Sequence, residues 1–408
     1  MASDVIEWHI NKTNVFFVRN TEIPMVDIAI AFHAGSRYAA PGLANFTAQS
    51  TMLGSRFLNK EQVNAKLSSE GSEILIYSDE ELIVYHLRSL SDVSPEKILD
   101  QFTSVIFNAA FPSQEIRYQR ESILSEIAFE QMQPEEVAQK HMFKFLFPSA
   151  PNFNSSVNGY TDTLNNFHTS DLQQYHSKLI SQPNSTIIIV GDLSEEDAKN
   201  LATNLSNKIS PSSKKLTKEH LSQVNEPQTI SIKPEQPQTY FLLTTKIPVS
   251  STQKEFVTYL LLNEMLGGNS SSYLFQTLRD QEGLVYSVNS HFENIDDFAL
   301  LSISGQSKTK NTPIINDLLR KAFDSEKDTI LTQKRFNIAK ESLKNKLLLQ
   351  SSTNGEQLQS FIKIAKDNHA ADYDDWLANT LANVTMNDVS AALKNIREHQ
   401  FYKVYVGC

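Results

Sequence analysis

The chain has 408 residues, a formal net charge of −10 and 40% apolar residues. That length exceeds one hydrophobic core, so two or more domains are expected. The acidic balance disfavours nucleic acid and anionic membrane surfaces as partners, and no apolar run approaches the ~20 residues that span a bilayer.

In chain order, the opening MASDVIEWHI lacks the basic start and apolar core of a signal peptide. Residues 14–19 and 26–34 have the β-branched and aromatic content of strands. Residues 42–53 predict a helix, 74–88 a strand pair turning at the acidic run Ser78-Asp79-Glu80-Glu81, and 113–131 a long helix. Pro134 opens another helix through residue 147, since proline suits a first helical turn. Residues 169–192, TSDLQQYHSKLISQPNSTIIIVGD, combine a capping residue before Asp171, an amphipathic helix, a turn and a strand ending Val-Gly. Strands are expected at 239–246, 284–292 and 298–306, and long helices at 312–323 and 334–349. Residues 386–408, MNDVSAALKNIREHQFYKVYVGC, then repeat the pattern of 169–192. Two homologous halves follow, residues 1–206 and 229–408. They are joined by 207–228, a polar stretch with Pro211 and Pro227 that suits an exposed linker. The expected class is α+β, each half an α/β sandwich with a mixed or antiparallel sheet and helices on one face.

The one cysteine, Cys408, excludes an intrachain disulfide and a cysteine-based metal site. Such usage fits the cytosol and equally an exported protein that avoids thiols.

The stretch 266–288, LGGNSSSYLFQTLRDQEGLVYSV, carries the clearest chemistry. Gly267 and Gly268 with a polar run open a short helix, Gly283 closes it, and a β-rich run starts at Leu284. Arg279 on the helix stands against Tyr286 on the strand. A permanent cation with five donors and an aromatic hydroxyl could together grip the carbonyls of an extended peptide.

With these elements in place, the chain resembles the M16 (pitrilysin, or inverzincin) metallopeptidases, of the size of processing-peptidase subunits, over nearly its whole length. The markers are Ala34-Gly35-Ser36-Arg37-Tyr38, Gly42-Leu43-Ala44, the Ser125-Glu126-Ile127 region followed by Pro134, the strand end at 188–192, and 266–288. The resemblance implies two halves that close as a clamshell on unfolded peptide.

Peptide-cutting members carry H-x-x-E-H on a helix, two imidazoles for Zn²⁺ and a glutamate as general base, with a distant glutamate as third ligand. The matching positions here are Asn45, Ala48 and Gln49, with Glu126 at the third-ligand spacing. Carboxamides are weak zinc ligands and a methyl group takes no proton. The family's substrate-pairing Asn-Ala matches Ile74 and Leu75, an apolar edge. Arg279 and Tyr286 match the residues that orient the scissile carbonyl and donate to the oxyanion. Tyr273 stands where the family often has Arg.

None of the ten histidines, His168 and His176 included, forms a replacement zinc pattern, and no nucleophile elbow, phosphate loop or dinucleotide fingerprint is present. The expectation is therefore a subunit without cofactor that binds peptide and lends Arg279 and Tyr286 to a zinc-bearing M16 partner of similar size, with a homodimer open to the chain alone. The alternative is a non-enzymatic core subunit of a larger complex. Exported relatives of this type favour the periplasm over the cytoplasm.

Overall fold

The computed structural model describes residues 5–181, 185–209, 216–221, 226, 228–232, 237–323, 329–350 and 352–407. The strands are β1 Val5–Ile10, β2 Thr13–Arg19, β3 Met25–His33, β4 Ser72–Ser78, β5 Leu82–Leu90, β6 Ser185–Gly191, β7 Thr229–Ile232, β8 Gln238–Ile247, β9 Val285–Ile295, β10 Phe298–Lys308 and β11 Tyr402–Val406. They form a six-stranded sheet, β1-β2-β6-β3-β5-β4, and a five-stranded sheet, β7-β11-β8-β10-β9. Each is mixed: β2 runs parallel to β6 and β7 parallel to β11, while every other pair is antiparallel. The α+β class with two sandwiches holds, but helices lie on both faces of each sheet and not on one.

The duplication is physical. Thr169–Leu179 starts from a capping box between His168 and Asp171, and Met386–Glu398 from one between Thr385 and Asp388. Each helix leads to the strand that completes its sheet, and each strand runs into a left-handed glycine, Gly191 at φ +143° and Gly407 at φ +104°. A Cβ there would lie 2.3 Å from the Met25 carbonyl oxygen or 2.1 Å from that of Gln238, so both glycines permit the same close approach to the first residue of the neighbouring strand.

Two compact units emerge, and neither is contiguous. One comprises residues 1–129, 147–222 and 350–371, the other 130–146, 223–349 and 372–408. In the first sheet, Val15, Phe17, Ile28, Ile30, Ile187 and Ile189 face the main core. Phe16, of opposite parity, packs with a tilted ring against Phe361 of Asn354–Lys366, a helix encoded in the second half. In the second sheet, Tyr405 joins the main core. Tyr402 on the other face meets Phe145 of Pro134–Leu146, encoded in the first half. Each unit thus covers the second face of its sheet with a helix encoded in the other half of the chain.

Part of the predicted linker (210–215, 222–225 and 227), and Cys408, lie outside the described residues. Residues 216–221 do not behave as a free tether. The Glu219 amide donates to the Arg37 carbonyl at 2.9 Å, Arg37 Nη2 donates to the Glu219 carbonyl at 2.8 Å, and Lys218 pairs with Glu81 at 3.0 Å. Among the described residues, no helix is long and apolar enough to cross a membrane.

The two histidines singled out in the sequence have structural surroundings. His168 caps its helix, and buried His176 donates from Nε2 to the Ile106 carbonyl at 2.7 Å with its ring edge-on to Phe111. Burial lowers the His176 pKa to about 4. The unfolded chain, with an ordinary histidine near 6.5, binds this proton more readily. Stability is therefore full above pH 6.5 and is expected to fall by up to ~3 kcal/mol as pH drops towards 4. Urea denaturation of wild type and His176→Gln between pH 7 and 4 checks this: the variant should lose that part of the pH dependence.

Candidate functional site

The helix Leu43–Ser50 begins at Gly42, whose left-handed φ of +88° only glycine adopts cheaply. A Cβ on Gly42 would lie 2.6 Å from the Asn158 carbonyl oxygen, so the 156–160 loop seats directly on the helix start. From that loop Asn158 reaches two of the predicted positions. Asn45, 8% exposed, donates from Nδ2 to Asn158 Oδ1 at 2.6 Å. Asn158 Nδ2 donates to Glu126 Oε2 at 3.3 Å, from the loop to the helix Ser113–Glu130. Ser78, at the end of β4, donates to Asn45 Oδ1 at 2.9 Å. Asn45 and Glu126 are thus brought together through one carboxamide. Gln49 turns elsewhere and donates to the Ile76 carbonyl on β4 at 3.2 Å, while Ala48 is fully buried in the core.

This donor set does not fit Zn²⁺. The oxygens that could face a cation are neutral amides, that of Asn45 accepting from the Ser78 hydroxyl and that of Asn158 from the Asn45 amide, and the single carboxylate accepts from an amide N–H. Among the described residues no group of three or more His, Cys, Asp or Glu could hold a metal ion. Sequence reasoning missed Asn158 and Ser78. The Asn158-Gly159 pair is a turn signal, but nothing local shows that the turn lands on this helix.

β4 pairs only with β5 and forms the sheet edge beside this helix. Ile74 points into the core, whereas Leu75 is 43% exposed. With the Ile76 carbonyl occupied by Gln49, this edge is partly satisfied from within the chain.

The second predicted pair lies in the other unit. Arg279 is on Phe275–Gln281, a π-helix in which the Glu282 amide donates five residues back to the Thr277 carbonyl. Its exposed guanidinium lies over the Phe275 ring, 4.7 Å from the centroid. Gly283, at φ +62°, ends the turn and the Leu284 amide closes it onto the Leu278 carbonyl at 2.9 Å. Tyr286 follows on β9, 61% exposed. Val285 pairs with Ser307 and Ser287 with Gln306, so Tyr286 is the extra residue of a β-bulge. Both residues therefore sit where the regular hydrogen-bond ladder is broken. Such irregularities re-aim side chains and concentrate at functional sites.

At Tyr273, where the resemblance implies an Arg, a guanidinium arrives from a distant helix. Arg335, on the helix Gln333–Leu349, lies over the Tyr273 ring at 5.5 Å and donates to Gln276 Oε1 at 3.3 Å. It also donates to the carbonyls of Thr329 and Ile330 at 2.7 and 2.8 Å.

Comparison with known proteins bears on the family and the fold. Residues 14–158 match the family described as insulinase (peptidase family M16), and residues 166–343 match the peptidase M16 inactive domain. An uncharacterized zinc protease, YmxG, of Bacillus subtilis is 22% identical over 362 residues, covering 85% of this chain and 84% of that protein. A non-peptidase homolog YmxG of Helicobacter pylori is 19% identical over 402 residues, covering 96% and 91%. Among solved structures, a peptidase M16 inactive domain from Pseudomonas fluorescens superposes with a TM-score of 0.85 at 22% identity, covering 99% of this chain and 97% of that one. A protease from Helicobacter pylori superposes with a TM-score of 0.87 at 16% identity over the full length of both.

Proposed function

The chain belongs to the M16 peptidase family, and from that premise we propose that it is a zinc-free member that binds extended, unfolded peptide and lends Arg279 and Tyr286 to a zinc-bearing M16 subunit of similar size. The observation that carries this reading is an asymmetry. The helix of the first half has carboxamides and a methyl in place of ligands and base, and the amides of Asn45 and Gln49 both donate within the chain. The second half presents Arg279 and Tyr286 exposed, on a π-helix and a bulge. The Helicobacter relative, named a non-peptidase homolog, supports the non-catalytic part of the reading.

In this role the metal and its base belong to the partner. Arg279 would donate to a substrate carbonyl beside the scissile bond and fix its orientation. Tyr286 would donate to the oxygen that gains charge as the carbonyl becomes tetrahedral.

The test mixes this chain with an M16 chain bearing H-x-x-E-H and follows a quenched-fluorescent unfolded peptide. Cleavage is expected from the mixture and not from this chain alone, with or without added Zn²⁺. Arg279→Ala should slow the mixture ~10–100-fold, the worth of a hydrogen bond to a charged group. An unchanged rate would overturn the proposal. Stable assembly into a larger complex, with no peptide bound, would instead favour the non-enzymatic core subunit.

A further inference from the structure

The segment that carries Arg279 and Tyr286 is held by a buried carboxylate that no motif announces. Glu264, in the last turn of the helix Lys254–Leu266, is 3% exposed. Its Oε1 accepts from Asn269 Nδ2 at 2.9 Å and from Ser342 Oγ at 2.7 Å, and its Oε2 accepts from Lys346 Nζ at 2.7 Å. Lys346 Nζ also donates to the Gly268 carbonyl at 3.0 Å, and Asn269 Nδ2 to the Glu264 carbonyl at 3.2 Å. A Cβ on Gly268 would lie 2.5 Å from Glu264 Oε2 and 2.7 Å from the Glu264 Cα, so helix backbone and carboxylate together require a glycine here. One residue earlier, the Asn263 carbonyl accepts from the amides of Gly267 and Gly268, both at 3.0 Å, and from Ser290 Oγ at 3.1 Å. The Ser290 amide donates back to the Gly267 carbonyl at 3.2 Å. The turn at 267–269 is thus pinned to its own helix, to the helix Gln333–Leu349 and to β9, the strand of Tyr286. The π-helix of Arg279 follows six residues further on.

Stability alone does not account for this arrangement. Glu264 is buried while Lys346 is half-exposed, so the pair adds little net stability: the carboxylate is desolvated and the cation stays partly screened by water. What it does provide is a single geometry: three donors converge on one carboxylate and each has a fixed direction.

We infer that Glu264, with Lys346, is a positioning pair that locks the 267–269 turn so that Arg279 and Tyr286 are presented to one extended peptide together. This inference rests on the proposed function and adds a residue to it.

The test has two arms. In hydrogen exchange on the isolated full chain, Glu264→Gln should speed amide exchange ~10-fold or more across 267–290, with no change in the first sheet. Lys346→Met, which removes the cation from a half-exposed position, should reproduce this if the first variant folds poorly. In the peptide-cleaving mixture, Glu264→Gln should lower kcat ~10-fold with little change in KM, and should add almost nothing in an Arg279→Ala background, because it acts through that residue. Unchanged exchange in both variants would overturn the inference, as would a kinetic effect that multiplies fully with that of Arg279→Ala. If Arg279→Ala itself leaves the mixture unaffected, the proposed function falls, and the exchange arm alone decides whether Glu264 holds the turn.

Discussion

Tyr286→Phe is expected to lower kcat of the peptide-cleaving mixture ~10²–10³-fold while leaving KM nearly unchanged. The size is that of losing one donor to an oxyanion. The split follows from timing: the hydroxyl meets full charge only in the transition state, so ground-state binding is kept. Folding cannot mimic this result. The ring is 61% exposed and the phenyl group is retained, so the stability of the variant should stay within about 0.5 kcal/mol of wild type. Steady-state kinetics with the partner in excess, beside a urea melt of the variant, make the measurement. A kcat within about twofold of wild type would remove Tyr286 from the chemistry and leave the bulge at Val285–Ser287 without a function.

Arg37→Ala should destabilise the protein by ~3–5 kcal/mol, the cost of breaking a buried pair by removing one partner. Arg37 is 1% exposed and pairs through Nη1 with Glu81. It holds the Glu219 carbonyl through Nη2 and lies over the Phe153 ring at 5.1 Å. Without it, Glu81 keeps Lys218 at 3.0 Å and the Tyr38 hydroxyl at 3.3 Å, neither of which replaces a buried guanidinium. The Glu219 carboxylate, which accepts from the Phe153 amide at 2.9 Å, should contribute less, so Glu219→Ala is expected to cost ~1 kcal/mol. Urea midpoints compare the two variants. A loss under 1 kcal/mol for Arg37→Ala would mean that the pair barely repays its desolvation.

The strand and helix pattern of the fold was largely legible. The strand pair, the long helices, the opening of Pro134–Leu146 and the closing of the π-helix at Gly283 follow from periodicity and from proline and glycine chemistry. Pro95–Phe102, Glu195–Lys208 and Asn354–Lys366 carry capping residues and apolar stripes that sequence reasoning left unused, whereas two other elements lack a readable pattern. Lys254–Leu266 is buried on nearly every side, so its apolar run has no helical stripe to read. β1 is short and half-buried at the edge of its sheet. Of the exchanged helices, Pro134–Leu146 was predicted and Asn354–Lys366 was not; which sheet each covers is settled by contacts such as Phe145 with Tyr402 and Phe16 with Phe361.

The candidate site divides along the same line. That Asn45, Ala48 and Gln49 stand at ligand and base positions, and that Arg279 and Tyr286 persist, could be read from residue identity, because the capacity to bind zinc or donate a proton belongs to the side chain itself. That Asn158 joins Asn45 to Glu126, that Arg335 brings a guanidinium to the Tyr273 turn, and that Glu264 and Lys346 pin the turn at 267–269 could not. Each of those contacts joins residues tens of positions apart along the chain. Their meeting depends on the packing of whole elements, which no local pattern of residue types encodes.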